Sequence, residues 1–460
     1  MNVLGLVALK KNDIINLTIT SVTAQGSGVG RTEDGMVVFV PVTAVGDEVE
    51  ARILKVKKSY AYAKVERLVK PSEIRVTPDC AAFAKCGGCV YRHIDYNSET
   101  EIKYNRVRDA MERIGGFSGL KINPVVQNDR VDRYRNKAQI PVCNTEKGVD
   151  FGFYAAHSHR VVPCADCLLQ PESFNRAAGI VRNFMNSTAQ TAYDEATGRG
   201  RLRHIYIRYA EALDELMICL VVNGNGLKYE DMLVESLKNE FPNLKSVIIN
   251  SNKENTNVIL GKNNRTAYGS DYITDELCGR KFKLSPLSFY QVNRSQAEKL
   301  YTIAAEYAGL QGGETLLDLY CGTGTIGLTM ADKCKELIGV EIIPDAVKDA
   351  VENAAINNIT NARFICSDAS RAAESLKAEG IAPDVVIIDP PRKGCDIPLI
   401  DTIASLSPEK VVYVSCDPET LARDLRQFAD RNYSVEELTP VDLFSRTPHV
   451  ETVARLEFNA

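Results

Sequence analysis

From Glu314 almost to its end, the chain alternates short apolar strands with helical stretches, and this constrains the fold more than any other feature. ETLLDLY, ELIGVE, ARFICSD, PDVVIIDPP and KVVYVSCD each stop at a polar or glycine-rich loop. The pattern predicts a doubly wound, Rossmann-like α/β sheet over residues 286–460. The first of these strands runs into CGTGTIGL, where Gly322 and Gly324 allow a tight backbone turn beneath a ligand.

Three acids give that loop a chemistry. Glu341 ends the next strand, about twenty residues on, where a carboxylate can hold two ribose hydroxyls. Asp368 and Asp389 end the two strands that follow, so all three converge on the crevice at the sheet's switch point. A sulfonium carrying a free ammonium group would be welcome among such acids, whereas a dinucleotide pyrophosphate would be repelled. An S-adenosylmethionine-dependent methyltransferase domain is therefore expected. DPPRKG refines this. Arg392 stands where enzymes that methylate exocyclic amines carry an aromatic residue, which turns the expectation away from amines.

Cys416 lies where the strand of KVVYVSCDPETLARDL meets its helix, which Asp417 or Glu419 can cap. The positive end of the helix dipole should favour its thiolate, which matters because a free thiol has a pKa of about 8.5. Cys416 is thus a candidate nucleophile.

The rest of the 460 residues must hold one or two further domains. Residues 11–69 are rich in alternating strand patterns broken by AQGSGVGRTEDG and VGD, which predicts a small OB-like β-barrel over 1–70. The net charge of −5 argues against a polyanionic partner, but seven basic residues and one acid lie between Arg52 and Lys70. A nucleic-acid-binding front end on an acidic catalytic body is expected. MNVLGLVALKKND has an apolar start without a basic leader, and no apolar run is long enough to span a bilayer. The 13 cysteines do not form a secreted disulfide framework, so the expected compartment is the reducing cytoplasm.

A central α+β region is expected over 71–285, with a helix at about 98–114 placed to dock on the catalytic domain and another at 172–186. Cys80, Cys86 and Cys89 are too closely spaced for packing residues and suggest a metal site, its fourth ligand being Cys164 or Cys167. Thiolates suit zinc or an iron–sulfur cluster, and the spacing does not choose between them.

LDLYCGTGTIGL, GVEIIPDAVKDAVENA, DPPRKG, YVSCDPETLARDL, TPHVET and SFYQVN together resemble the RNA (uracil-5-)-methyltransferase family over about residues 285–455. The resemblance implies Cys416 as nucleophile and Glu451 as base, with Gln291, Tyr320, Glu341, Asp368 and Asp389 contacting S-adenosylmethionine. Thr325 departs from the Asn of some relatives and is left out of that set. The barrel resembles a TRAM domain, and YRNKAQ, with Arg135, Asn136 and Lys137, resembles a family segment near the RNA. The cysteine pattern resembles the family's rRNA-modifying branch, which implies a [4Fe-4S] cluster on Cys80, Cys86, Cys89 and Cys167. A monomeric enzyme acting on 23S rRNA is the resulting expectation. The same reaction on tRNA, and a noncatalytic iron–sulfur RNA-binding factor, are the alternatives.

Overall fold

The computed structural model describes residues 9–459, so the first eight residues of the apolar start read for a leader lie outside the described residues. The amino-terminal strands are β1 (Ile14–Thr18), β2 (Ser21–Val22), β3 (Gly28–Arg31), β4 (Val37–Val40), β5 (Glu48–Val56) and β6 (Tyr60–Lys70). They form one sheet in the order β1-β5-β6-β4-β3-β2. Only two residues separate β1 from β2, and Thr20 donates its N–H to Val29 O at 2.8 Å, so the sheet's two ends meet. Period-two alternation points Val49, Ala51, Ile53, Ala61 and Ala63 into the enclosed core.

Helix α1 (Tyr96–Ala110) starts where the Asp95 carboxylate accepts Ser98 N–H. It continues as a π-helical turn over Met111–Gly115 and stops at Gly116, whose φ is 72°. A short strand, β7 (Lys121–Ile122), follows.

The central sheet comprises β8 (Lys137–Thr145), β9 (Gly148–Tyr154), β10 (Val161–Pro163), β11 (Leu202–Ala210), β12 (Glu215–Val222), β13 (Leu244–Ser251) and β14 (Asn263–Gly269). Its order is β10-β9-β8-β11-β12-β13-β14, and α2 (Glu172–Ser187) and α3 (Glu230–Glu240) bury their apolar faces against it. The hairpin β15 (Ile273–Leu277) and β16 (Arg280–Leu284) shares a core with α4 (Arg294–Ala308) and one face of the carboxy-terminal sheet.

That last sheet contains β17 (Thr315–Leu319), β18 (Glu336–Glu341), β19 (Ala362–Cys366), β20 (Val385–Ile388), β21 (Lys410–Ser415), β22 (Tyr433–Val441) and β23 (Glu451–Phe458). The helices between them are α5 (Thr325–Met330), α6 (Pro344–Ile356), α7 (Ala369–Ala378), α8 (Ile397–Leu406) and α9 (Pro418–Ala429). The strand order β19-β18-β17-β20-β21-β23-β22-β7 reverses direction between β17 and β20, which is the switch point of a doubly wound sheet. Strand β23 runs antiparallel between β21 and β22.

The sheet's outermost strand comes from far away in sequence: β7 pairs in parallel with β22 through Lys121–Glu437 and Ile122–Leu438. Helix α1 docks beside it through charge. Lys103 Nζ donates to Glu99 at 2.8 Å and to Asp442 at 2.6 Å, with all three side chains nearly inaccessible. Tyr96 and Ser445 hydroxyls also donate to Asp442, and Arg446 N–H donates to Glu99. Arg106 grips Glu419 and the Pro448 carbonyl. The helix therefore anchors the 442–448 segment that leads into β23. Among the described residues, no helix is long and apolar enough to cross a membrane.

Candidate active site and cysteine cavity

The carboxyl ends of the parallel strands open into a cavity of about 750 Å³. Gln291, Tyr320, Glu341, Asp368, Asp389, Cys416 and Glu451 all line it. The turn after β17 is sharp: Tyr320, Gly322 and Gly324 have φ of 64°, 57° and 82°. Only a glycine takes such angles without strain, and Tyr320 bears the strain at the cavity wall. Beneath the turn, the buried Asp318 accepts Gly327 N–H at 2.8 Å, and a Cβ at Gly327 would come within 2.7 Å of that carboxylate. Glu341 accepts the N–H groups of Gly322 and Ile343, which aims its carboxylate at the loop. Asp368 caps α7 through Ser370 and Arg371 N–H.

Strand β8 of the central sheet closes the other side. Asn136 donates through Nδ2 to the Gln291 carbonyl and through its backbone N–H to Val292 O, both at 2.9 Å or less. This bond fixes the loop that carries Gln291 against the central sheet, and the next residue, Lys137, lines the cavity. Burial, reinforced by Arg208 and Arg135, lowers the Lys137 ammonium to about 8.

At the far end, Cys416 follows β21 and Glu451 opens β23, an adjacent strand. Asp417 caps α9 by accepting Thr420 N–H, while Glu419 is engaged by Arg106. One expectation needs correction here. The helix end was expected to favour the Cys416 thiolate, but burial and then the Glu451 and Asp389 carboxylates push the thiol up to about 11, Arg392 opposing them. Burial raises Asp389 to about 7, and burial followed by Asp389 raises Glu451 to about 8. The cavity holds more acid than its own cations neutralise, so a cation entering it would favour the ionised forms of all three groups.

The structure brings further residues to this cavity. Phe289 stands 59% exposed, and Phe444, His449 and Arg392 also line the cavity. Its aromatic surface thus comes from SFYQVN, Tyr320 and the 442–449 segment rather than from the residue after the paired prolines. No periodicity marks Phe444, whereas His449 lies inside TPHVET, a motif already quoted. Phe289 could have been noticed as an aromatic inside a motif already singled out.

A second cavity, of about 120 Å³, is lined by Cys80, Cys86, Cys89, Cys164 and Cys167 together with Arg92, Arg135 and Phe153. The fold thus brings the amino-terminal triad to both of the distant cysteines left open by spacing. Among the described residues, no three His, Cys, Asp or Glu side chains are grouped to hold a metal ion. Arg133 holds the segment around Cys167, donating to the Cys167 and Gln170 carbonyls and to Asp166.

The family profile of tRNA (uracil-5-)-methyltransferase matches residues 95–458, spanning the helix, the central sheet and the cavity described above. The chain belongs to the RNA (uracil-5-)-methyltransferase family. A TRAM domain profile matches residues 9–65, the barrel. An RNA methyltransferase of Halalkalibacterium halodurans, itself uncharacterised, is 40% identical over 98% of both chains. One from Staphylococcus aureus MRSA252 is 41% identical over 97% of this chain and 98% of the relative. The fold is similar to that of Pyrococcus abyssi tRNA (uracil-54, C5)-methyltransferase in complex with S-adenosyl-L-homocysteine, with a TM-score of 0.78 and 26% identity. That likeness covers 96% of this chain and 99% of the archaeal one. The protein is an S-adenosylmethionine-dependent RNA (uracil-5-)-methyltransferase, and its Rossmann-like domain and TRAM barrel agree with the sequence reading.

Proposed function

We propose that this enzyme methylates carbon 5 of a uridine in 23S rRNA through a covalent adduct on Cys416. The observation that carries this reading is the convergence of Cys416, Glu451 and Asp389 on one cavity with the glycine loop and its acids. Carbon 5 of uracil is too weakly nucleophilic to take a methyl group directly. Addition of the Cys416 thiolate to carbon 6 makes the ring an enolate, whose carbon 5 attacks the sulfonium methyl and expels the thioether. Glu451 then takes the carbon 5 proton, and the carbon 6–sulfur bond breaks to restore the ring and the thiolate.

A positively charged donor in the cavity would oppose the burial and carboxylate repulsion that raise the Cys416 thiol, and would favour the thiolate there. Glu341, Asp368, Gln291 and Tyr320 are assigned to donor binding from their positions around the strand ends. The target base must leave its stack to reach the cavity.

Cys80, Cys86, Cys89 and Cys167 are proposed to hold a [4Fe-4S] cluster. The support for this reading is that the four cysteines line one cavity with Arg135 at its wall, where a cation suits the negative charge of four thiolates. Methyl transfer needs no electron, so the cluster would tie the segment after the barrel to the central sheet.

The likeness to an archaeal enzyme named for tRNA uracil-54 extends over 96% of this chain and favours a second reading, tRNA as the substrate. Mapping 5-methyluridine in total RNA of a deletion strain decides between them: loss from 23S rRNA supports the first, and loss from tRNA alone overturns it. For the adduct, RNA containing 5-fluorouridine should trap wild-type enzyme and leave Cys416→Ala free on denaturing gels. Undiminished turnover by Cys416→Ala would refute the mechanism.

A further inference from the structure

The acids of the active-site cavity answer the sulfonium, the ammonium and the ribose of the donor. S-adenosylmethionine also carries one carboxylate, and Gln291, Tyr320, Glu341, Asp368 and Asp389 include no cation to receive it. That carboxylate shares a carbon with the ammonium group, so its partner must stand at the same end of the donor.

Lys137 opens β8 at the cavity wall. Register sets it directly opposite Arg208 of β11. Residues so opposed project from the same face of a sheet, where like charges repel. Arg208 is 2% exposed, and its guanidinium is committed to the Tyr206 hydroxyl at 2.7 Å and the Ser288 carbonyl at 2.6 Å. The charges acting on Lys137 are those of Arg208 and Arg135, and among the described residues no carboxylate pairs with its ammonium group. A half-buried cation among cations leaves its charge for an anion that enters the cavity. The two bonds from Asn136 to the Gln291 and Val292 carbonyls bring the following residue, Lys137, to the loop that carries Gln291.

We infer that Lys137 binds the carboxylate of the donor's methionine part, so that the donor is held between acids of the catalytic domain and a lysine of the central sheet. Other anions meet other cations. An enolate would form at the Cys416 end, where Arg392 already acts on Cys416 and Glu451. The phosphates that flank a flipped nucleotide stay with the strand outside, where Arg392 and Lys393 are exposed. This inference rests on the assignment of Gln291 and the acids to the donor, and on no step at Cys416.

The test is calorimetry on the full-length enzyme at pH 7, without RNA. The ligands are S-adenosylhomocysteine and its decarboxylated counterpart, which keeps the thioether and the ammonium. Wild type should prefer the ligand with the carboxylate, and Lys137→Met should reduce that preference about 10- to 150-fold, the range for a charged hydrogen bond. Affinity for the decarboxylated ligand should not fall, which shows that the variant keeps its fold. Lys137→Arg should keep most of the preference. Glu341→Ala should weaken both ligands alike, so a failure of the donor assignment appears in that variant and a failure of this inference in Lys137→Met. A Lys137→Met enzyme that retains the wild-type preference, or that loses both ligands equally, would overturn the inference.

Discussion

Lys103→Met removes the cation that bridges Glu99 and Asp442, whose side chains are fully buried. The two carboxylates would then face each other in a dry interface, with Arg446 3.6 Å from Glu99 as the nearest remaining guanidinium. Deleting one partner of a buried ion pair costs about 3–5 kcal/mol. For a folding unit the size of this catalytic domain, 1 kcal/mol moves Tm by about 2–4 °C, so a loss of about 6–20 °C is expected. The loss should depend on pH. Burial already raises the Glu99 carboxyl above the usual carboxylate range, and without Lys103 the rise is larger. A raised folded-state pKa penalises folding when the group is ionised, so the penalty is complete above that pKa and disappears as pH falls below it. Thermal melts of wild type and variant should therefore differ most at pH 8 and converge toward pH 5. Adding Glu99→Gln to the variant should recover part of the loss at pH 8. A gap that is absent at pH 8, or that widens on acidification, would refute the reasoning.

Glu451→Gln should still form the adduct and accept the methyl group but fail to release it, so a protein–RNA conjugate should accumulate with ordinary RNA and donor. Normal turnover would assign the base elsewhere. Donor affinity, measured by calorimetry, should fall as pH drops from 8 to 6, because Asp389 at about 7 and Glu451 at about 8 gain the protons that oppose a sulfonium. The neutral thioether product should show a flatter profile over the same range, and identical profiles would contradict the electrostatic account. Anaerobically purified enzyme should carry about four iron atoms per chain. Cys167→Ser should lose the iron and Cys164→Ser should keep it; the reverse pattern, or stoichiometric zinc, would overturn the ligand set.

The sheet and its acids were legible because each motif is contiguous: a strand, its terminal carboxylate and the following helix lie within one short window. Glu341, Asp368 and Asp389 meet at the switch point because strand order follows from that repeated unit. The protonation state of Cys416 was not legible, since the helix that follows it is local while the opposing Glu451 is set beside it by an antiparallel strand. The docking of α1 was expected, but not the means. Lys103 and Asp442 lie 339 residues apart, and a buried lysine on a polar helix carries no periodic signal. Likewise, a count of basic residues from Arg52 to Lys70 could not separate the three that form ion pairs from the four that do not, because strand register makes that division.

The pairing of β7 with β22 sets a schedule for the ribosome. Lys121 emerges 316 residues before Glu437, its partner across the sheet edge. At about 5–20 residues per second, the early segment waits roughly 15–60 s for the strand it must join. An apolar helix left unpaired for that interval would invite aggregation, but α1 presents Glu99, Lys103 and Arg106 at its docking side. These groups remain hydrated until Asp442 and Glu419 are made, after which the interface closes around them. The barrel and central sheet can each be complete by then, so the catalytic domain is the last to be finished and depends on a piece synthesised among the first.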